Sequence, residues 1–362
     1  MKIVLGRHLM GLPGPIMLTG HTGFKGTWMT YLLEQLNIPT VGLSLPPQRD
    51  SLFAQANRTG AIPEEFIDIG DFDSISKFMV RFKPSVVIHM AAQPLVLESY
   101  ISPRNTFEVN VLGTVNVLDS AFKTESVKAV VVVTTDKVYR NNNQEKDFVE
   151  TDPLEGKDPY SASKVATESV VAAWQQIARI SGGPRVISMR AGNVIGGGDW
   201  AKNRLLPDLI RGFKSGEVVE VRNPESTRPW QFVLDPLSGY LLALEAVLNG
   251  EFLDCLNFGP ANSSLKVRQV VDIARSIWPE KTEVKFKDDK INDLAEAQNL
   301  NLDSSNAKRT LGWEPILSQY DSVRTTVDWW RKVLIDQVSP EIACKHDVLM
   351  WGQMVKNSTQ PA

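Results

Sequence analysis

Tyr160 and Lys164 bracket the stretch Tyr-Ser-Ala-Ser-Lys, a spacing that puts both side chains on one face of a helix, one turn apart. A phenol beside an ammonium is held toward phenolate, so a group that ordinarily titrates near ~10 is drawn toward the range of a working base. Such a base can take the proton of a hydroxyl while hydride leaves the carbon that carries it. The same spacing is common on surface helices as an ordinary side-chain pair, so the chemical reading needs company. Two further stretches supply it. Gly20-His-Thr-Gly23-Phe-Lys-Gly26 lies between a β-rich run and an amphipathic one, where glycines permit a tight bend and let a pyrophosphate approach a helix N-terminus. A hydride needs an acceptor, and a nicotinamide dinucleotide is what such a turn holds. Thr135-Asp136-Lys137 closes a valine-rich run from Lys128 to Thr134. There a hydroxyl can position a substrate oxygen against the Tyr, and an adjacent acid and amine form a candidate proton-transfer pair.

The elements that must bring these groups together are legible as alternation. Pro15 to Thr19 reads as a first strand, Thr27 to Leu36 as a helix with Trp28, Leu32 and Leu33 facing inward, and Thr40 to Leu45 as a second strand. Ser85 to His89 reads as a buried strand running into Met90-Ala91-Ala92-Gln93, with the valine run after it. Strand and helix patterns in turn imply right-handed crossovers and a parallel sheet. The expected class is therefore α/β, a Rossmann-type doubly wound parallel sheet with a smaller C-terminal substrate-binding lobe. In such sheets ligands bind beyond the carboxyl ends of the strands, so the glycine turn, His89 to Gln93, Thr135 to Lys137 and Arg190 to Asn193 should converge. Ser44 ends the second strand where many NAD enzymes place an acid on the adenosine ribose, with Arg49 soon after, which leaves NAD and NADP both open. Asp68 and Ile69 are candidates for holding the adenine. The cofactor set is thus Gly20, Thr22, Gly23, Phe24, Lys25, Gly26, Ser44, Asp68, Ile69, Ala91 and Ala92, with Tyr160 and Lys164.

After Arg190 the pattern loosens into Gly196-Gly-Gly198, several prolines and scattered short strands. Residues 1–190 are assigned to the dinucleotide-binding domain and 191–362 mainly to the substrate lobe, with 235–250 returning to the Rossmann half. Asp235-Pro236 reads as an N-cap and first helical position for a helix over Leu237 to Val247. The polar tail from Lys356 to Ala362 is expected to fray.

The chain has 362 residues and a net charge of −3, which argues against a broad nucleic-acid-binding face while permitting a local phosphate pocket. Two cysteines, Cys255 and Cys344, are too few for a disulfide framework and suit a reducing cytoplasm. The opening MKIVLGRHLMGLPG, with Arg and His interrupting a short apolar run, suits neither a secretory leader nor a membrane span. No His/Cys/Asp cluster has metal spacing, and His21 and His89 read as strand-end residues satisfied by local backbone bonds. Arg228 is the main candidate for substrate phosphate, since a guanidinium meets two phosphate oxygens in a planar fork, with Asn193 near it. Lys202 and Arg204 follow Trp200 and are further phosphate candidates, and Asn257 is a weaker one.

Six stretches together resemble a known family. They are Thr19 to Gly26, His89 to Val96, Thr135 to Lys137 with Tyr139, Asp158 to Lys164, Arg190-Ala-Gly-Asn-Val-Ile-Gly-Gly-Gly-Asp-Trp200, and Arg228-Pro-Trp-Gln231. The chain is similar over nearly its whole length to the extended short-chain dehydrogenase/reductases of the nucleotide-sugar type, within them most to the CDP-glucose 4,6-dehydratases. The resemblance implies NAD and conversion of CDP-D-glucose to CDP-4-dehydro-6-deoxy-D-glucose plus water, toward deoxysugars of surface polysaccharide. It implies that Tyr160, with Lys164 and Thr135, takes the C4 hydroxyl proton, that Asp136 protonates the departing C6 hydroxyl, and that the stored hydride returns to C6. It also places Gln93, Trp230 and Gln231 at the substrate; a Trp in a strand-like segment is otherwise more often core. Helices near Asn105 to Lys123 and around Tyr160 would pair two subunits, giving a homodimer or a pair of dimers. The related dTDP-glucose dehydratases resemble this site but carry Glu where this chain has Lys137, so the residue that removes the C5 proton stays open. Arg140 to Gln144 departs from the family pattern beside the sugar site, which leaves the base and hexose open. An epimerase or 4-reductase is the alternative, and a non-catalytic dinucleotide sensor a distant one.

Overall fold

The computed structural model describes residues 5–142, 146–260, 265–280, 282–287 and 300–358. Asn143 and Gln144, within the stretch that departs from the family pattern, lie outside them.

Seven strands form the central sheet: β1 (Ile16–Thr19), β2 (Thr40–Ser44), β3 (Glu64–Phe66), β4 (Val86–His89), β5 (Ala129–Val133), β6 (Arg185–Ala191) and β7 (Cys255–Phe258). All pair in parallel, in the spatial order β7-β6-β5-β4-β1-β2-β3. Both faces are covered, which is why the inner strands are apolar runs and carry no two-residue alternation. Alternate residues nevertheless feed two separate cores. Leu18, Ile88, Val131 and Met189 pack with Trp28 and Leu32 on one side; Met17, Val87, Val130 and Val186 pack with Phe78, Leu118 and Val171 on the other. The chain runs outward from β1 in both directions, so the crevice beyond the carboxyl ends of β1 and β4 is where this topology admits a ligand.

Helix α1 (Phe24–Gln35) begins three residues before the expected Thr27, because Gly23 serves as its N-cap and Thr27 Oγ1 bonds back to the Gly23 carbonyl at 2.8 Å. Phe24, Lys25 and Gly26 therefore form its first turn. Helix α2 (Pro159–Ser181) starts on a capping box: the Asp158 carboxylate accepts from Ser161 N at 2.9 Å and Pro159 takes the first position.

Helix α3 (Leu234–Leu248) departs from expectation at its start. Asp235 lies inside its first turn and caps nothing of its own. Its carboxylate instead accepts from Ile316 N at 3.1 Å, Leu317 N at 3.3 Å and Trp351 Nε1 at 2.8 Å. The apolar faces of α3 pack against α1, β5 and β6. Beyond β6, short strands pair off the main sheet: Val194–Ile195 with Gln231–Phe232, Val219–Arg222 with Val284–Lys287, and Thr227–Arg228 with Leu265–Lys266. The last helix, α4 (Pro340–Ser358), continues through Lys356 to Ser358, where the polar composition predicts fraying; residues 359–362 lie outside the described ones.

Candidate active site

Three consecutive turns of α2 meet the end of β5. The Tyr160 phenol lies beside the Thr135 hydroxyl, Lys164 Nζ donates to the Val133 carbonyl at 3.2 Å, and Thr134 Oγ1 donates to Glu168 at 2.5 Å. The four-residue spacing that put Tyr160 and Lys164 on one helical face extends to Glu168.

Thr135 Oγ1 also donates to Asp136 Oδ1 at 2.9 Å and accepts from Lys137 N at 3.3 Å. A hydroxyl has one hydrogen, so Thr135 can donate to the phenolate only when it does not donate to the carboxylate. Asp136 is 2% exposed and its Oδ2 has no hydrogen-bond partner among the described residues. Burial raises its pKa above the usual carboxylate range, with Lys137, Thr135 and Arg228 opposing. The expectation for Tyr160 is corrected here. Burial pushes the phenol up to about 12, and the groups that ease it are Thr135 and Arg204, while Asp136 raises it further. Lys164 lies behind the cavity wall, its ammonium lowered to about 8 by burial against the opposing charge of Glu168.

A continuous cavity of about 1260 Å³ opens in front of this group, more than one drug-sized ligand needs and wide enough for two long ones. At one end it is lined by Gly20, Thr22, Gly23, Phe24, Lys25 and Gly26, with Ser44, Asp68, Ile69, Ala91 and Ala92 alongside. Gly20 has φ of +72°, and a Cβ there would sit 2.7 Å from Ala91 N, so the turn rests directly on the end of β4. Helix α1 has no side-chain cap, which leaves its first N–H groups facing the cavity as an anion site. Ser44 Oγ and Thr22 Oγ1 lie 2.7 Å apart, and Asp68 Oδ1 accepts from Gly70 N at 2.8 Å, shaping its own loop. Lys25 is half-buried; its amine is lowered to about 7 by burial, then by Lys164 and Arg204, against Asp136.

The middle and far end are lined by Thr135, Asp136, Lys137 and Tyr160, then by Asn193, Lys202, Arg204, Arg228 and Trp230. Arg204 is tied to Asp199 at 3.0 Å. Gln93 and Gln231 stay out of the lining. Gln93 Nε2 donates to Leu95 O and Thr106 Oγ1, and its Oε1 accepts from Leu95 N. Gln231 Nε2 bridges Gly192 O and Phe258 O at 2.8 and 2.9 Å, tying β6 to β7. Asn257 is likewise internal, accepting from the Tyr139 hydroxyl at 2.6 Å and donating to Phe148 O at 2.8 Å. The two histidines bond side chains where the sequence suggests backbone. His21 meets Glu64 at 2.6 Å, and His89 lies between Thr19 at 2.7 Å and Thr114 at 3.1 Å, kept neutral by burial with its pKa near 3.

Two internal groups carried no sequence expectation. Glu168 had a usable signal, the helical spacing after Lys164. Asn110 had none. It sits in a π-helical turn, Glu108–Leu112, and bonds Gln93 N, Gln93 O and Ser163 Oγ, joining the β4 loop to α2.

The model of the NAD dependent epimerase/dehydratase family matches residues 16–257. This chain belongs to that family. Among its relatives, the CDP-glucose 4,6-dehydratase of Salmonella typhimurium strain LT2 is 39% identical, the match covering 87% of this chain and 89% of that one. The dTDP-glucose 4,6-dehydratase of Haemophilus influenzae is 25% identical over 87% and 97%. Among solved structures, a dTDP-glucose 4,6-dehydratase of Streptomyces venezuelae with NAD bound superposes with a TM-score of 0.76 at 24% identity, covering 88% and 97%. The family's cofactor fits what is present: a glycine turn that excludes side chains, open helix N–H groups and a cavity that runs on to Tyr160. Among the described residues no helix is long and apolar enough to cross a membrane.

Proposed function

We propose that this family member is a nucleotide-sugar 4,6-dehydratase whose substrate is CDP-glucose. The observation that carries the reading is Asp136, a buried carboxyl with raised pKa and an unpartnered oxygen, beside Thr135 and Tyr160 on one cavity wall. An epimerase moves a hydride and needs no acid for a leaving hydroxyl; an elimination needs one, protonated near neutral pH.

In this reading Tyr160 takes the C4 hydroxyl proton, and Thr135 turns its hydrogen toward the phenolate as Asp136 holds its own proton. Bound NAD supplies the site that accepts hydride from C4 and returns it to C6. Asp136 then protonates the C6 hydroxyl as it departs as water. For the C5 proton we assign Lys137, adjacent to Asp136 on the wall, as the acceptor. Lys164, from behind the wall, supports the nicotinamide end through the Val133 carbonyl, while Gly20 to Gly26, Ser44, Asp68, Ile69, Ala91 and Ala92 hold the rest of the cofactor. Arg228, Lys202, Arg204 and Asn193 meet the substrate diphosphate, the guanidiniums by bidentate contact, and Trp230 shapes the nucleotide pocket. Residues past β6, apart from α3, β7 and α4, which packs on α1, form the substrate lobe. The exposed Phe107 and Leu112, on the helical stretch near Asn105 to Lys123, support pairing of two subunits there as a homodimer or a pair of dimers, working in the cytoplasm.

The test is incubation with NAD+ in D2O with CDP-glucose, dTDP-glucose, GDP-mannose and UDP-N-acetylglucosamine in turn, each product read by mass spectrometry. Loss of one water with one deuterium gained at C5, from CDP-glucose, is the expected result. A change of configuration without loss of water would replace the reading with an epimerase.

A further inference from the structure

Beneath the cavity wall the carboxylate of Glu168 makes four hydrogen bonds. Its Oε1 accepts from Thr134 at 2.5 Å and Arg190 Nε at 3.1 Å, its Oε2 from Ser188 at 2.9 Å and Arg190 Nη2 at 2.8 Å. Both partners of the ion pair have side chains 5% exposed. Arg190 Nη1 goes on to the Tyr139 hydroxyl at 2.9 Å and the Glu150 carbonyl at 3.1 Å. A buried ion pair is a poor stabiliser, since desolvating two charges offsets most of their attraction, and well-packed apolar replacements are often neutral or better. The arrangement asks for another explanation, and its position gives one. Thr134 immediately precedes Thr135-Asp136-Lys137, and Glu168 is one helical turn from Lys164.

We propose that Glu168 is a positioning residue of the catalytic centre, fixing the end of β5 through Thr134 and standing one helical turn behind Lys164, with Arg190 as its counter-ion. The groups facing Lys164 make the need for a carboxylate plain. Lys25 from α1 is a second cation whose amine feels Lys164, and His89 at the end of β4 is neutral and also feels it. Tyr160 on its own helix is neutral as well. Burial drives the ammonium toward its free amine, and Glu168 is the charge that opposes this.

The inference rests on the reading of Tyr160, Lys164 and Thr135 as the redox centre, and its test is separable from the choice of substrate. Two variants are made: Glu168→Gln, and Glu168→Gln with Arg190→Met, the second removing both charges so that neither is left buried and alone. Lysine labelled at 15Nζ is followed by NMR against pH, with Lys164→Met identifying the resonance. The expected result is a Lys164 midpoint at least about one pH unit lower in the folded double variant than in the wild type. The alkaline limb of kcat/KM should move down by the same amount while the melting temperature stays within a few degrees. A Lys164 midpoint unchanged in that variant would overturn the proposal and leave Glu168 a purely structural residue. If the wild type dehydrates no nucleotide sugar, the functional reading fails, and the NMR midpoint still decides the role of Glu168.

Discussion

Asp136 and Tyr160 share one hydroxyl, and their charges oppose each other: an ionised Asp136 raises the phenol's pKa and claims the Thr135 hydrogen. Protonating Asp136 therefore eases ionisation of the phenol, which is the order the proposed reaction needs. Removing the base alone, by Tyr160→Phe, is expected to lower kcat by about 10²–10⁴-fold, the usual range for a positioned proton acceptor, with NAD+ affinity little changed in a fluorescence titration. Asp136→Asn separates the steps differently. C4 oxidation should survive, so the variant should accumulate NADH absorbance on mixing with substrate while losing dehydration; a variant that still released water at the wild-type rate would remove Asp136 from the mechanism. Gly192 bears on the same carboxyl, because a Cβ there would run into Asp136 Oδ2. Gly192→Ala should keep the fold and cost on the order of 10²-fold in kcat, the scale of a displacement of about 1 Å in a reacting group, measured alongside a circular dichroism spectrum.

The elements carry that geometry, α2 most of all. Its capping box at Asp158 and Ser161 fixes the turn on which Tyr160 stands, so Asp158→Ala should lower stability by about 1 kcal/mol, as loss of an N-cap does, and lower kcat in the same protein. A calorimetric scan and a turnover assay at matched temperature check both; stability lost without any change in kcat would mean the cap does not set the tyrosine. How much of this was legible follows from what kind of signal each element leaves. The parallel sheet was, because buried parallel strands are apolar runs and helices between them are not; the spatial order of its strands was not read. The grouping of Tyr160, Thr135 and the glycine turn along one cavity was too, since residue type and spacing define them. The start of α1 was missed because a glycine N-cap offers no side-chain acceptor to find, and Asp235 misled because it has the type and position of a cap yet bonds elements some eighty residues and more away. Gln93 and Gln231 were placed at the substrate by the resemblance alone, and an amide near a strand end looks the same whether it faces a cavity or is spent on internal bonds. Asn110 left no trace, as a π-helical turn has no pattern in a single sequence.

Asp235 also shows how the whole molecule is held. One buried carboxylate receives Ile316 N, Leu317 N and Trp351 Nε1, so α3, against the sheet, is joined through it to α4 and the loop before Gln319. No cation shares that site among the bonds it makes, and burial raises the group from 3.8 to about 6 despite three donors that favour its charge. The sign of the linkage follows. A folded-state pKa above the unfolded one means the folded protein binds the proton more tightly, so the contribution is full below about pH 4 and is lost as pH rises to about 6. The difference of about two pH units corresponds to roughly 3 kcal/mol. The substitution Asp235→Asn puts there an amide that cannot ionise and keeps one acceptor oxygen. The variant should be less stable than the wild type at pH 4, where the protonated acid costs little, and the gap should narrow by roughly 3 kcal/mol toward pH 7, where the wild type must bury a charge. Urea unfolding of both proteins between those limits measures it. Parallel stability curves would show that Asp235 ionises as easily folded as unfolded, and that the joint between α3 and α4 is a hydrogen-bonded anchor without a pH dependence of its own.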